Sequence, residues 1–116
     1  MPLTYFHRKD VELNSQTPVF LYGYGGYNIS IRPSFSRKYV GWLELGGVVA
    51  IANLRGGGEL GKKWHNAGRL KEKQNVFDDF LYASKYLEAE GVGNRKSTVI
   101  SGRSNGGLLV GTSLVQ

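Results

Sequence analysis

Apolar positions along the chain fall into short continuous runs that are typical of buried strands. Residues 47–54 are continuously apolar, as in a strand covered on both faces. Residues 18–22 predict a second strand, and residues 97–100 a third, shorter one. Residues 3–13 alternate aromatic, branched and charged side chains and precede a turn at 14–16. We therefore expect residues 3–13 to form an antiparallel hairpin with the 18–22 strand.

Helical spacing fills the gaps between these strands. One apolar stripe ends at Gly46 and comprises Phe35, Tyr39, Trp42 and Leu43. A second helix is predicted to begin at Asn75 as N-cap, with Asp78 bonding back to the Asn75 backbone N–H, and to end at Gly91. Its predicted apolar face comprises Phe77, Phe80, Leu81, Ser84 and Leu87. A third helix is expected from Leu108 onward, so strands and helices alternate, which predicts an α/β domain with a mostly parallel sheet.

The size of the chain limits it to one domain or part of one, since it has 116 residues. Its 17 glycines are clustered, which indicates tight turns rather than a repeat. Without cysteine it forms no disulfide and no thiolate metal site, and we expect a reducing, cytoplasmic location. No apolar run is long enough to span a bilayer, so no membrane association is expected.

The net charge of +6 comes mainly from separated basic pairs, which are Arg8-Lys9, Arg37-Lys38, Lys62-Lys63 and Arg95-Lys96. Nucleic-acid-binding modules more often gather their basic residues on one helix or stripe. The charge therefore predicts a solvated basic surface, and no nucleic-acid partner is expected.

The most specific chemical signal is G-x-S-x-G, spelled here by residues 102–106 with Ser104 at its centre. In this motif the serine sits on a sharp strand-to-helix turn that lifts its hydroxyl clear of the sheet. Gly102 and Gly106 are required because side chains two residues either side would collide. A strand precedes the motif and a helix follows it, as a nucleophile elbow needs. The alternative is a Gly-Ser loop that closes an αβ unit without chemistry.

A helix that begins beside Ser104 favours negative charge at its amino end. An oxyanion develops at this place when a serine attacks a carbonyl carbon. The backbone N–H of Asn105, the next residue, is the expected donor to that oxyanion.

Three other patterns compete with this interpretation. Residues 56–61 spell G-x-G-x-x-G, but no amphipathic helix opens there, so a dinucleotide site is not expected. His7 and His65 lack metal-ligand spacing, so no metal is expected. His65, Asp78 and Ser104 have the chain order of a chymotrypsin-like triad, but in an α/β sheet the acid and the histidine follow the elbow serine.

Several separated motifs together resemble the catalytic domain of the prolyl oligopeptidase family of serine peptidases. They are LYGYGGYN at 21–28, ANLRGGGE at 52–59, WH at 64–65, NVFDDF at 75–80 and SNGGLL at 104–109. The resemblance extends over nearly all of the chain, and the order of the motifs makes an accidental match very improbable.

The resemblance implies a role for each matching residue. Ser104 corresponds to the acylated nucleophile, Asn105 to the backbone oxyanion donor, and Tyr24 to a tyrosine whose hydroxyl is the second donor. Tyr27 corresponds to an aromatic wall of the pocket for the substrate proline, where phenylalanine is common. Arg103 replaces a glycine that is frequent in close relatives, which leaves the subfamily open.

The resemblance also implies an incomplete α/β-hydrolase fold, from its N-terminal part up to and including the nucleophile elbow. Residues 1–116 are then part of a peptidase catalytic domain, with the triad Asp and His following residue 116 and a β-propeller preceding the domain. The expected substrate is a short proline-containing peptide, cleaved after proline without a cofactor. A sister oligopeptidase that cleaves after basic residues and a non-catalytic truncated remnant stay open as alternatives.

Overall fold

Four strands form one sheet in the computed structural model, which describes residues 1–116. In their order across the sheet they are β1 (Leu3–Phe6), β3 (Val48–Ala52), β2 (Val19–Gly23) and β4 (Thr98–Ser101). β3 and β4 both run parallel to β2, with Val19 opposite Val48 on one side and Thr98 on the other. The predicted mostly parallel sheet and its three strands are confirmed, with β2 and β3 largely buried and β4 only partly covered.

The predicted hairpin between residues 3–13 and the 18–22 strand is wrong. β1 pairs antiparallel with β3, with Leu3 opposite Ala52. Both edges of β2 are occupied by parallel neighbours, so the only free edge on that side of the sheet belongs to β3. The first strand therefore adds to the outside of the sheet.

Helices cover both faces of this sheet. They are α1 (Arg37–Glu44), α2 (Lys62–Asn66), α3 (Gln74–Ala89) and α4 (Asn105–Val115), with a 3₁₀ turn at Leu70–Glu72. The three predicted helices correspond to α1, α3 and α4, and the short α2 was not predicted. No helix combines the length and the apolar character needed to cross a membrane.

The core lies between the sheet and the α3–α4 layer. Val19 and Leu21 point to this side of β2 and are fully buried together with Phe80 and Leu87 of α3 and Leu109 of α4. Alternate residues of a strand point to opposite faces. Accordingly Phe20 faces α1, where its ring centroid lies 5.9 Å from that of Tyr39 and 5.6 Å from that of Trp42.

The start of α3 differs from the sequence prediction. Asn75 is inside the helix, where its amide donates to the Ala67 carbonyl oxygen at 2.8 Å, and Lys73 occupies the N-cap position. Asp78 accepts from the Gln74 amide at 2.9 Å instead of capping. The 3₁₀ turn leads directly into α3, and the backbone between them is already helical. The extended N-cap conformation expected at Asn75 therefore does not occur.

The buried face of α3 is also rotated from the predicted one. Phe80 and Leu87 are buried as expected, whereas Leu81 is 46% exposed. Val76 and Asp79 take inward positions instead. The carboxylate of Asp79 is buried because it has an ionic partner, which apolar periodicity does not reveal.

Strand order brings three loops to the carboxyl edge of the sheet. The chain passes from β2 to β3 on one side and then to β4 on the other side. Ligand sites of open α/β sheets lie at such switch points, outside the carboxyl ends of the strands. The loops after β2, β3 and β4 meet there, and the G-x-S-x-G turn is the third of them.

Candidate active site

The turn between β4 and α4 has the backbone of a nucleophile elbow. Ser104 has φ 58° and ψ −116°, a left-handed conformation that residues with a side chain rarely adopt. The residue is exposed, and its side chain does not cap α4. Its carbonyl oxygen accepts from the N–H groups of Gly107 and Leu108, at 2.8 and 3.3 Å, so the backbone of the first helical turn holds it.

Close backbone contacts surround the elbow on both sides. A Cβ at Gly102 would overlap the carbonyl group of Gly106. A Cβ at Gly106 would lie 2.7 Å from the carbonyl oxygen of Gly23, at the end of β2. The two glycines let α4 start directly against the neighbouring strand, which gives the steric reason for the motif.

The amino end of α4 offers an unsatisfied donor beside Ser104. Asn105 is the first residue of this helix, and the residue four positions earlier, Ser101, belongs to β4. The helix therefore has no carbonyl partner for the Asn105 N–H. The aromatic ring of Tyr24 also lies close, 3.7 Å from the position that a Cβ of Gly106 would occupy.

The side chain of Asn105 joins α4 to the loop after β2. Its amide nitrogen donates to the Tyr24 carbonyl oxygen at 2.6 Å. Its amide oxygen accepts from the Lys73 ammonium at 3.0 Å, and the same ammonium donates to the Gly25 carbonyl oxygen at 3.0 Å. Gly26 is required here, since a Cβ there would lie 2.5 Å from the Asn105 amide nitrogen.

A cavity of about 530 Å³ opens beside this network. Asn105 and Tyr27 lie on its wall, and Tyr27 is 76% exposed with φ 54°. His65, Arg69 and Lys73 also line the cavity, and no acidic side chain does. The cavity is therefore partly aromatic and basic, and Asn105 lines it whereas Ser104 and Tyr24 do not.

A buried ion pair fixes the loop after β3. The guanidinium of Arg55 donates to Asp79 at 2.9 and 2.7 Å, and the Arg55 backbone N–H donates to the same carboxylate at 3.0 Å. Asp79 is 7% exposed, so the pair is largely shielded from water on the carboxylate side. The hydrogen bonds that the Arg55 guanidinium donates to Asp79 raise the pKa of Arg55 above its already high value. This contact ties the glycine-rich loop 56–58 to α3.

The alternative triad of His65, Asp78 and Ser104 is not assembled. The Nδ1 atom of His65 is bonded to the Gly56 carbonyl oxygen at 2.7 Å, and Asp78 bonds only to Gln74. No cluster of three metal-ligating side chains is present in the chain. His65 is thus a structural residue of the loop after β3 that also lines the cavity.

Comparison with known proteins matches this geometry to one family. The model of the prolyl oligopeptidase family matches residues 33–116. The prolyl endopeptidase of Elizabethkingia meningoseptica is 46% identical over 114 residues, which are 98% of this chain and 16% of that protein. The chain belongs to the prolyl oligopeptidase family.

Solved structures agree with this membership. A prolyl endopeptidase structure superposes with a TM-score of 0.97 at 51% identity, over 99% of this chain and 17% of that one. Prolyl oligopeptidase B from Galerina marginata, bound to a 35-residue hydrolysis and macrocyclisation substrate, has a TM-score of 0.88 at 33% identity, over 99% and 18%. This family member therefore spans about one sixth of the length of its relatives.

Two features of the site were not predicted from the sequence of this family member. Lys73 lies in a polar stretch without periodicity, and its partners are 48 and 32 residues away in the chain. The Arg55–Asp79 pair was likewise missed. The sequence signal for the pair is the position of Asp79 beside Val76 and Ala83 on the apolar face of α3, because a buried carboxylate needs a cationic partner.

Proposed function

We propose that this chain supplies the nucleophile and the oxyanion-binding part of a serine peptidase that hydrolyses short peptides on the carboxyl side of proline. The observation that carries the proposal is the conformation of Ser104. Its backbone has φ 58° at the amino end of α4, and the residue is exposed at the switch point of the sheet. Strain of this kind persists where the surrounding structure enforces it, and it clusters at functional sites.

The reaction starts with attack of the Ser104 Oγ atom on the carbonyl carbon of the proline. The Oγ–C bond forms while a histidine base accepts the hydroxyl proton. Negative charge then collects on the former carbonyl oxygen. The Asn105 N–H and the Tyr24 hydroxyl donate to this oxyanion, and donors placed in advance lower the barrier.

Collapse of this intermediate breaks the peptide C–N bond, and the histidine returns the proton to the leaving amine. An acyl ester of Ser104 is left. Water then attacks the ester carbonyl, the histidine takes one proton from the water, and the acid product leaves as Ser104 regains its proton. Side chains, backbone donors and water complete this cycle without a cofactor.

Tyr27 accounts for the proposed preference for proline. Its ring is on the wall of the cavity that Asn105 also lines. A flat aromatic face packs well against a pyrrolidine ring, and the hydroxyl makes this wall more polar than phenylalanine would. The basic residues on the same cavity, Arg69 and Lys73, disfavour a cationic side chain there.

The triad Asp and His and an amino-terminal β-propeller are proposed to belong to the same natural polypeptide. Support comes from the outer edge of β4, which pairs with nothing while Val99 is 47% exposed. An apolar strand edge is normally paired or covered. We place the enzyme in the cytoplasm on its sequence alone, and fractionation of the source cells tests that location.

Hydrolysis by the full-length natural protein tests the proposed activity. We expect release of the leaving group from a Gly-Pro amide, and loss of this activity in the variant Ser104→Ala. A Gly-Arg amide distinguishes a sister enzyme that cleaves after basic residues. Absence of any Ser104-dependent hydrolysis would favour the non-catalytic remnant instead.

A further inference from the structure

The backbone of Lys73 is held by hydrogen bonds at the start of α3, and its side chain extends toward the loop after β2. Its N–H donates to the Leu70 carbonyl oxygen at 3.2 Å, and its carbonyl oxygen accepts from Val76 at 3.1 Å. The ammonium lies 5.9 Å from the ring centroid of Phe77, one turn further on. The side chain therefore extends from a rigid helix start toward the loop after β2.

A continuous chain of hydrogen bonds runs from this ammonium through the elbow. Lys73 binds the Gly25 carbonyl oxygen and the Asn105 amide oxygen, both at 3.0 Å, and the Asn105 amide nitrogen binds the Tyr24 carbonyl oxygen at 2.6 Å. Two successive peptide groups of one loop are thus fixed to the first residue of α4. Because the Lys73 ammonium can only donate, it fixes which end of the Asn105 amide is the oxygen and leaves the nitrogen facing the Tyr24 carbonyl.

No carboxylate is bonded to Lys73, which separates it from the ion pairs of the chain. A partly buried cation without a counter-ion costs stability, because its hydration is only partly replaced. In agreement, burial lowers the pKa of the Lys73 ammonium below its ordinary value. Arg55, by contrast, has a carboxylate partner in Asp79. A role of this contact in the active site would explain why the chain keeps a partly buried lysine that lowers its stability.

Lys73 links Asn105 to Gly25, the residue after Tyr24. Each of the two linked segments therefore carries a proposed oxyanion donor, the Asn105 N–H and the Tyr24 hydroxyl. Such donors act only when they are held at about 2.7–3.1 Å from the position of the developing oxyanion. Residues around a site must keep it within about 0.5 Å of its productive geometry. A tie between the two donor-bearing segments has this effect.

We propose that Lys73 is a positioning residue that holds the two oxyanion donors, Tyr24 and Asn105, in register with each other. This inference rests on the proposed peptidase function. It assigns Lys73 no contact with substrate and no proton transfer. Loss of the tie weakens binding of the transition state more than binding of the substrate.

The test uses three variants of the full-length natural protein. Lys73→Met removes the donors and keeps the length of the side chain, and Lys73→Arg keeps the charge. Lys71→Met is the matched control, since Lys71 is exposed, two residues away and hydrogen-bonded by its side chain to nothing. Thermal unfolding and hydrolysis of a proline amide are measured for each.

For Lys73→Met we expect kcat to fall by about 10- to 100-fold while KM stays within about twofold, and Lys71→Met to match the parent. Lys73→Arg recovers part of the loss, and it keeps the test usable if Lys73→Met does not fold. A peptide aldehyde, whose hemiacetal places an oxyanion in the hole, should lose affinity by the same factor in Lys73→Met. The corresponding alcohol should bind unchanged.

A change in KM alone, an equal loss for the aldehyde and the alcohol, or parent-like kinetics in Lys73→Met would overturn the positioning role. Hydrogen exchange separates this failure from failure of the peptidase function. Three amides beside the tie are hydrogen-bonded: Ile29 N–H donates to the Gly26 carbonyl oxygen, and Gly107 and Leu108 N–H donate to the Ser104 carbonyl oxygen. Their exchange should be about tenfold faster in Lys73→Met than in Lys71→Met, with or without turnover. Equal exchange rates in the two variants would overturn the tie itself.

Discussion

The side-chain amide of Asn105 donates to the backbone carbonyl oxygen of Tyr24 at 2.6 Å. This bond joins two segments that are 81 residues apart, the loop after β2 and the start of α4. Each of the two residues also carries a donor proposed for the oxyanion. The contact between them therefore determines whether the donors converge.

Removal of the Tyr24 hydroxyl by Tyr24→Phe keeps the ring and the backbone bond to Asn105. We expect kcat in the full-length protein to fall by about 100- to 1,000-fold, since loss of one oxyanion donor costs about 3–4 kcal/mol of barrier. Tyr22→Phe is the control, because Tyr22 lies on the opposite sheet face beneath Lys38. Equal activity of the two variants would remove Tyr24 from the proposed oxyanion site.

Gly106→Ala places a methyl group 2.7 Å from the Gly23 carbonyl oxygen. Because that atom is backbone, the start of α4 must move, and we expect a loss of about 1–3 kcal/mol in the free energy of unfolding. Activity should fall by about tenfold or more, since Ser104 moves with the helix. Denaturant titration and hydrolysis assays measure both effects.

The neighbouring helical residue Gly107 provides the control for this prediction. A Cβ there meets nothing within 4 Å. Gly107→Ala should therefore be neutral, or stabilising by up to about 1 kcal/mol through helix propensity. A Gly106→Ala protein as stable and active as Gly107→Ala would refute the steric account of the elbow.

Asp79→Asn removes the charge that pairs with Arg55. The remaining guanidinium loses two hydrogen bonds to a carboxylate, and we expect the free energy of unfolding to drop by about 2–4 kcal/mol. Asp78→Asn, whose carboxylate bonds only to the Gln74 amide, should change it by less than about 1 kcal/mol. Denaturant titration of the two adjacent variants measures the contribution of the Arg55–Asp79 pair to stability. Equal losses of unfolding free energy in both variants would contradict that contribution.

We expect kcat to decrease at alkaline pH as the Lys73 ammonium loses its proton. Burial lowers the pKa of this ammonium from 10.5, so the proton leaves at a lower pH than from an exposed lysine. A neutral amine is a weaker donor to Gly25 and Asn105, and kcat should fall as pH rises through this lowered value. His65 and Arg69 line the same cavity, and neither supplies a negative charge that would reverse the shift.

Lys73→Arg distinguishes this limb from other titrations, because a guanidinium stays charged throughout the range. In this variant the alkaline limb should move to higher pH. A limb at the same pH in the parent and in Lys73→Arg would show that another group controls it.

Much of the fold was predictable because it follows from periodic patterns. The runs that become β2, β3 and β4, and the stripe of Tyr39 and Trp42 on α1, are local signals. The pairing of β1 was not predictable in this way, since it depends on which sheet edges remain free. The position of Asn75 inside α3 depends likewise on the 3₁₀ turn before it.

Polar contacts of the site were the least predictable part. The elbow could be recognised because Gly102, Ser104 and Gly106 are close in sequence and each glycine has a steric role. Lys73 joins segments that are distant in sequence, and no spacing rule specifies such a contact. The contact exists only because the fold places the loop after β2 beside the start of α4.

Labelling of the full-length natural protein with a fluorophosphonate tests the role of Ser104 most directly. An activated serine hydroxyl attacks the phosphorus, the P–F bond breaks, and fluoride and the hydroxyl proton leave. Mass spectrometry of the digested protein locates the adduct. We predict one adduct, on the peptide that contains Ser104, and its loss in Ser104→Ala. Labelling that leaves Ser104 unmodified, or that persists unchanged in Ser104→Ala, would contradict its assignment as the nucleophile.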